Sequence, residues 1–190
     1  MTKSAAAAAC CLAAAYPFAV YFGLEVFEPR HLAGLVVLVA LCRAATVRRL
    51  CGAVDVVIIG VTASLAAGIA WSNSEALLRF YPVVVTLGLL ATFGWSLWRR
   101  PSMIERFARL REPALSDAAV AYTRRVTQLW CVFFVFNAAV ALYTALAASR
   151  ATWALYNGFL SYVLVGTLFA IEWLVRRRVL HRVELASGRG

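Results

Sequence analysis

The amino-acid sequence predicts an all-α fold, a polytopic bundle of membrane-spanning helices, and two observations lead to this prediction. Hydrophobic residues make up 63% of the 190 residues, charged residues only 15%, and the mean hydropathy is +0.79. The single small core of a soluble domain could not hide so much apolar surface. The apolar residues also form runs of roughly 20, the length that lets a helix cross a hydrocarbon layer of about 30 Å. Six such runs predict six spans within one integral membrane domain that covers residues 1–190.

The first two predicted spans, 5–24 and 32–47, carry the weakest signals. Residues 5–24 are uncharged and rich in alanine, and a five-span arrangement omits them. A signal peptide is the other interpretation of this stretch, but no small-residue cleavage site precedes a polar start. Span 32–47 is short and contains Arg43, whose long side chain can reach the headgroup region from the last turns.

The other four predicted spans are longer, and a charge interrupts them only near one end. They cover residues 53–71, 80–98, 127–148 and 152–175. Asp55 and Glu172 are the carboxylates inside them, and either could take part in a proton relay. The alternative is ion pairing: Glu172 precedes Arg176 by four residues on a helix, and Asp55 follows two arginines closely.

The distribution of basic residues predicts that both termini are cytoplasmic. With six spans, 16 of the 19 basic residues fall on one side, and only Arg30, Arg79 and Arg150 fall on the other. Lys and Arg accumulate in loops that stay in the cytoplasm. A five-span arrangement would leave Lys3 alone on the far side. We therefore expect a multi-pass membrane protein with both termini in the cytoplasm.

The longest predicted loop, 99–126, contains a short amphipathic helix. Ser102 and Glu105 have the spacing of a capping box. The apolar residues after it share one helical face, which the arginines avoid, so we expect the helix to lie in the cytoplasmic interface. It could anchor the protein to anionic lipid or offer a docking surface to a partner protein. Its apolar face comprises Met103, Ile104, Phe107 and Leu110, and its basic residues are Arg106 and Arg109.

A short motif, Tyr-Pro-x-x-Val-x-x-Gly-Leu, occurs at Tyr16–Leu24 and again at Tyr81–Leu89. Three spans separate the copies, so they would cross the membrane in opposite directions, as in the inverted repeats of transporters. The simpler interpretation is chance agreement between apolar segments. In that case Pro82 lies in the first turn of its helix, and Pro17 makes a kink whose freed carbonyl bonds to a neighbour.

Polar residues inside the last two spans predict a polar seam between them. Asn137 lies in the middle of its span, where an unpaired amide would cost several kcal/mol, so it must face protein. Asn157 and Ser161 are four residues apart and share a face that could meet Asn137 or Tyr143. An interhelical hydrogen bond and a substrate site are the alternatives for this seam.

Several functions lack support in the residues. We find no nucleophile with a base, no paired metal ligands and no phosphate-binding loop, so we expect neither enzymatic activity nor a cofactor. The five cysteines lie in or beside predicted spans with no metal-binding spacing. The net charge of +10 is spread over cytoplasmic flanks, which disfavours nucleic acid as a partner.

Several residues of the long loop and the last two spans form a characteristic pattern, which runs from Pro101 through Asn157 with an earlier match at Tyr16-Pro17. They are Arg100, Pro101, Ile104, Arg106, Trp130, Phe133, Phe134, Asn137, Trp153 and Asn157. With this pattern the chain resembles the intracellular septation protein A family of small bacterial inner-membrane proteins, which implies a location in the bacterial inner membrane. It is also similar to uncharacterised proteobacterial transmembrane proteins, relatives of that family, that accompany enzymes of polyene-lipid biosynthesis. The alanine-rich start departs from the septation relatives, whose first span is shorter.

Two hypotheses for the function follow. The first, which the resemblance implies, is a scaffold or accessory protein of cell-envelope biogenesis or septation, with cell-division or envelope proteins and membrane lipids as partners. The second is a small transporter or flippase for a lipid or polyene intermediate, which the possible repeat and the polar seam suggest.

Overall fold

A computed structural model describes residues 15–47, 52–110 and 112–187. Within these ranges the chain is helical apart from short connections, and it contains no strand. A π-helical turn, Tyr156–Leu160, joins the seventh helix to the eighth. In chain order the helices are α1 at residues 15–23, α2 at Pro29–Val47, α3 at Gly52–Ser72, α4 at Glu75–Trp98, α5 at Met103–Arg109, α6 at Asp117–Ala147, α7 at Arg150–Leu155 and α8 at Ser161–Ser187.

Three helical segments of the described chain are long and apolar enough to cross a membrane. They are Glu75–Trp98, Asp117–Ala147 and Arg150–Arg177, the last of which runs from α7 through the π turn into α8. The predictions of long apolar helices at 80–98, 127–148 and 152–175 are thus confirmed, although each helix extends beyond the predicted bounds. These helices indicate a membrane protein.

Six spans are not supported within the described residues. Val57–Ser72, the part of α3 whose side chains the structure describes, is an apolar helix shorter than a full span. Predicted span 32–47 lies in α2, of which the structure describes the side chains only as far as Leu38. The first half of predicted span 5–24 lies outside the described residues.

α4 and α6 form the antiparallel centre of the bundle. At one end the Arg79 guanidinium donates to the Ala148 carbonyl at 3.2 Å. Near the middle Asn137 contacts Thr86. At the other end the N–H of Ile104, in the short helix α5 that follows α4, donates to the Thr127 hydroxyl in the first half of α6. Since residue numbers rise along one helix as they fall along the other, the two helices run in opposite directions.

The interior contains two clusters of buried side chains. The first joins α1, α2, α3, α4 and α7 through residues such as Tyr16, Val36, Leu78 and Trp153. The second joins α4, α6 and α8 through aromatic rings in edge-to-face and tilted contact, among them Phe93 and Phe134, whose centroids lie 5.2 Å apart. Together these clusters hold the described helices in one bundle.

The outer surface of the bundle is apolar. Val132 is 67% exposed, and Phe136, Phe169 and Trp173 are each more than half exposed. Large exposed apolar patches are rare on soluble monomers. A surface of this kind has the composition that contact with lipid requires, in agreement with the spanning lengths of α4 and α6.

Pro82 corrects one sequence-based expectation. We placed it in the first turn of its helix, but α4 begins at Glu75, so Pro82 lies in the helix interior. Charged and polar residues ahead of the apolar run, including Arg79, extend the helix by more than one turn. Because proline interrupts the hydrogen-bond ladder there, other parts of the protein have to supply donors.

Candidate functional site

The two Tyr-Pro pairs of the sequence meet inside the bundle. The rings of Tyr16 and Tyr81 pack with their centroids 4.5 Å apart. Pro17 and Pro82 lie beside them on the wall of a cavity of about 110 Å³. We call this space the Tyr-Pro cavity and take it as the candidate functional site. Other residues on its wall include Thr86, Phe134, Asn137, Asn157, Ser161 and Val165.

Hydrogen bonds from two other helices repair the break that Pro82 makes in α4. Proline has no N–H, so the carbonyl of Leu78, four residues earlier, loses its helical partner. The hydroxyl of Tyr16 donates to that carbonyl at 3.1 Å. The indole N–H of Trp153 donates to the adjacent Arg79 carbonyl, also at 3.1 Å. Both donors belong to buried side chains, so α1 and α7 are tied to α4 beside the cavity.

Asn137 connects α4, α6 and the π turn. Its side-chain nitrogen donates to the Thr86 hydroxyl at 3.3 Å, and its side-chain oxygen accepts from the Tyr156 hydroxyl at 3.0 Å. The residue is 9% exposed. This arrangement agrees with the expectation that the amide faces protein. The Asn137 network contributes interhelical hydrogen bonds of roughly 1 kcal/mol each.

Asn157 and Ser161 place polar groups along the π turn. The Asn157 side chain donates to the Thr144 hydroxyl at 3.1 Å and to the Trp153 carbonyl at 2.9 Å. The Ser161 hydroxyl donates to the Asn157 carbonyl at 3.1 Å. A π turn widens the helix by one residue, and such turns often occur at functional sites. Here the widened turn lies on the wall of the Tyr-Pro cavity.

Three of the four residues of the predicted seam, Asn137, Asn157 and Ser161, lie on the wall of the Tyr-Pro cavity. Tyr143 is 67% exposed and lies on the outer face of α6. Asn137 and Asn157 do not bond to each other, because their side chains donate to Thr86 and Thr144. No sequence pattern pointed to these threonines, since helical threonines commonly bond to their own backbone, and Thr86 also does so.

Gly158 allows α1 to approach the π turn closely. A Cβ atom added at this position would lie 2.6 Å from the ring of Phe18. Such a distance is shorter than any tolerable contact between carbon atoms. The absence of a side chain at Gly158 thus lets α1 pack against the π turn, and both elements contribute residues to the wall of the Tyr-Pro cavity.

The two carboxylates predicted inside the spans have different outcomes. Glu172 is buried, and its carboxylate binds the Arg176 guanidinium at 2.7 Å, as the four-residue spacing predicted. The Tyr122 hydroxyl on α6 also donates to it, at 3.3 Å. Asp55 belongs to α3, but its side chain lies outside the described part of the chain. The Glu172 contacts support the ion-pair interpretation.

A further ion cluster, which was not predicted from the sequence, lies at the start of α4. Glu75 binds Arg79 at 2.6 Å and Arg150 at 2.7 Å. Because Arg79 also donates to the Ala148 carbonyl, the cluster ties α4 to the junction of α6 and α7. The pair of Glu75 and Arg79 has the four-residue helical spacing, which was a usable signal.

α5 is held against the bundle by its first turn. The N–H of Met103 donates to the Ser96 hydroxyl at 2.9 Å, and the N–H of Ile104 donates to the Thr127 hydroxyl at 3.3 Å. The first N–H groups of a helix lack partners within it, so hydroxyls of α4 and α6 fill this need. The predicted capping box between Ser102 and Glu105 is also present.

Half of the predicted apolar face of α5 packs against the bundle, and the other half is exposed. Met103 is buried and Ile104 is partly buried, whereas Phe107 is 45% and Leu110 is 78% exposed. The expectation of one continuous face toward the membrane is corrected, because α5 turns its first residues into the bundle. The two arginines bond within the loop: Arg106 to the Pro101 carbonyl, and Arg109 to Glu105 and the Pro113 carbonyl.

The chemistry available at the Tyr-Pro cavity is that of hydroxyl and amide groups among aromatic and aliphatic walls. Such a site can hydrogen-bond a neutral polar group and pack against an apolar chain. No cluster of three or more potential metal ligands occurs among the described residues. No family model, no curated protein and no solved structure matches the chain.

Proposed function

We propose that this chain is a scaffold or accessory protein of cell-envelope biogenesis or septation in the bacterial inner membrane. In this proposal it crosses the membrane six times with both termini in the cytoplasm, and it has no catalytic role of its own. The asymmetric distribution of 16 basic residues against three supports the orientation. The resemblance to the intracellular septation protein A family supports the role.

The observation that carries this proposal is the fixed position of α5 at the end of the bundle. Backbone hydrogen bonds to Ser96 and Thr127 hold its first turn, so its orientation is set before any partner arrives. Phe107 and Leu110 then project from the bundle. A preorganised apolar surface binds a partner at a lower entropic cost than a flexible one.

Photocrosslinking in the native membrane tests this proposal. A photoreactive phenylalanine analogue replaces Phe107 in one variant and Trp71 in the other. Trp71 is a matched control because it is 94% exposed and lies at the end of α3, next to the α4 end that carries Glu75. We expect an envelope-biogenesis or cell-division protein to crosslink at position 107 and not at position 71. Equal crosslinking at both positions, or none at 107, would contradict the proposal.

A transporter or flippase for a lipid or polyene intermediate is the second candidate, which the Tyr-Pro cavity favours. Both copies of the repeated motif contribute to its wall. The proline in α4 and the π turn before α8 interrupt two helices beside it, and interrupted helices form the midplane sites of many transporters. The motif copies also contact each other directly, through Tyr16 and Tyr81.

Proteoliposomes with a fluorescent polyene lipid test the second candidate. Asn137→Leu removes the amide beside the cavity and should abolish transfer between leaflets while the protein still folds. Thr167→Val is the control, because Thr167 is exposed on α8 and bonds only to its own helix, at the Val163 carbonyl. Full transfer by the Asn137→Leu variant would count against transport. Loss of transfer in both variants would also count against it.

A further inference from the structure

A second cleft lies at the end of α4 where the long loop begins. Its volume is about 420 Å³, and its wall comprises Gly94, Leu97, Trp98, Arg100 and Arg124. Gly94 and Leu97 belong to the apolar part of α4, whereas Arg100 follows the helix and Arg124 comes from α6. The cleft therefore passes from apolar to basic over about 6 Å along the axis of α4.

The two arginines of this cleft carry charge that the described residues do not neutralise. Neither Arg100 nor Arg124 makes an ion pair or a side-chain hydrogen bond within the described chain. The buried carboxylates on the same half of the bundle already have partners, since Glu105 binds Arg109 and Glu172 binds Arg176. Two unneutralised guanidinium groups on one cleft favour an anion.

The surroundings of the cleft resemble a membrane interface. α4 is one of the three spanning helices, and it ends at Trp98, which is 88% exposed. Trp95, one turn earlier, is 52% exposed and has the Arg99 guanidinium 5.6 Å from its ring centre. Tryptophan at the end of a spanning helix sits at the level of the lipid headgroups.

We propose that this cleft binds the phosphate of one anionic phospholipid. Arg100 and Arg124 bind the phosphate, and the start of an acyl chain lies along Leu97 and Gly94. A Cβ atom at Gly94 would meet nothing within 4 Å, so the apolar helix surface beside the basic end is uncovered at this position. This open apolar side favours a lipid over a free phosphate ion, which would need only the arginines. The site is independent of the functions proposed above.

Native mass spectrometry of the full chain tests this site. The protein is delipidated in a neutral detergent and titrated with phosphatidylglycerol, phosphatidylcholine or inorganic phosphate. We expect one tightly retained phosphatidylglycerol, weaker phosphatidylcholine and no retained phosphate. Retention of phosphate alone, or equal retention of both lipids, would overturn the proposal.

Two pairs of variants separate this cleft from the general basic charge of the loop. Arg100→Gln with Arg124→Gln should weaken phosphatidylglycerol binding about 30-fold. Arg99→Gln with Arg125→Gln removes the same charge outside the cleft wall and should retain most of the binding. An equal loss in both pairs would show that charge alone is responsible and would overturn the proposal.

Gly94→Leu supplies a test without any change of charge. Its side chain has room in the helix and fills the apolar half of the cleft. We expect this variant to lose phosphatidylglycerol, while Gly166→Leu, at another open glycine on α8, retains it. The circular dichroism of both variants should match the parent protein. A folded Gly94→Leu variant with undiminished binding would contradict the placement of the acyl chain.

Discussion

A single proline determines which side chains can occupy the centre of the bundle. Pro82 leaves the Leu78 carbonyl without its helical partner, and a buried carbonyl without a partner costs about 1–3 kcal/mol. The Tyr16 hydroxyl compensates for this loss from α1. The two tyrosines of the repeated motif therefore have different roles, because Tyr81 packs its ring against Tyr16 while Tyr16 also repairs the backbone.

Tyr16→Phe should reduce the free energy of unfolding by about 1–3 kcal/mol, because it leaves the Leu78 carbonyl unpaired. In a Pro82→Ala background the same change should have a much smaller effect, since alanine restores the backbone N–H. Unfolding of the parent protein, the two single variants and the double variant in mixed micelles measures this coupling. Tyr143→Phe is the control, because the Tyr143 side chain is 67% exposed. Equal effects of Tyr16→Phe in both backgrounds would disprove the repair.

At the scale of single elements, α5 is a short helix whose position depends on its neighbours. Seven residues are too few to form a stable helix alone. The Ser96 and Thr127 hydroxyls hold its first two N–H groups, and Met103 is buried against the bundle. The capping box sets where α5 begins, whereas α4 and α6 determine how it is oriented.

Ser96→Ala with Thr127→Val should loosen α5 without unfolding the bundle. We expect amide hydrogen exchange at Met103 and Ile104 to accelerate about fivefold to tenfold, since each lost hydrogen bond contributes about 1 kcal/mol. Exchange in the middle of α6 should stay unchanged. Thr167→Val provides the matched control on α8. Unchanged exchange at both α5 amides would contradict the docking.

The ion cluster at the other end of α4 joins a helix to a helix junction. Glu75→Gln should destabilise the protein by about 1–2 kcal/mol, a value between those of exposed and buried pairs, because all three side chains are partly exposed. High salt should reduce the difference between the variant and the parent. Thermal unfolding of the variant and the parent at two ionic strengths measures this difference in stability. A loss that salt does not change would indicate packing and not charge.

Sequence patterns predicted local features well and cross-helix contacts poorly. The helices, the capping box and the pair of Glu172 with Arg176 follow from spacings within one segment. The bond between Asn137 and Thr86 depends on the register of two antiparallel helices, 51 residues apart in the chain. Because apolar helix faces of similar composition can pack in several registers, the sequence does not determine which register is adopted. The exposure of Tyr143 was mispredicted for the same reason.

The whole molecule has two chemically different ends. Paired charges at Glu75 and Arg150 lie at one end of α4, and the cleft with Arg100 and Arg124 lies at the other. In the orientation proposed above, the second end is the cytoplasmic one. The exposed apolar side chains lie between these ends, on α6 and α8 among others.

Reporter fusions and cysteine labelling test this orientation. Single cysteines at Leu110 and Trp71, in a background without native cysteines, should react from opposite sides of intact cells or vesicles. A reporter fused after Gly190 should be active only in the cytoplasm. Labelling of both positions from the same side would exclude the arrangement, and a periplasmic reporter would exclude a cytoplasmic C-terminus. Both side chains are well exposed, so accessibility does not limit the labelling.

The π turn has a consequence for how the last helical segment can evolve. Each residue of an α-helix rotates the following face by about 100°. Tyr156–Leu160 shifts the phase between the two sides of the turn, so that Trp153 reaches α4 while Glu172 meets Tyr122 on α6. Because the turn accommodates one extra residue, deleting one residue here would restore α-helical winding and leave the downstream contacts on nearly the same faces, whereas a deletion between Ser161 and Glu172 would rotate Glu172 by about 100°. Length variation among related chains should therefore be confined to this turn.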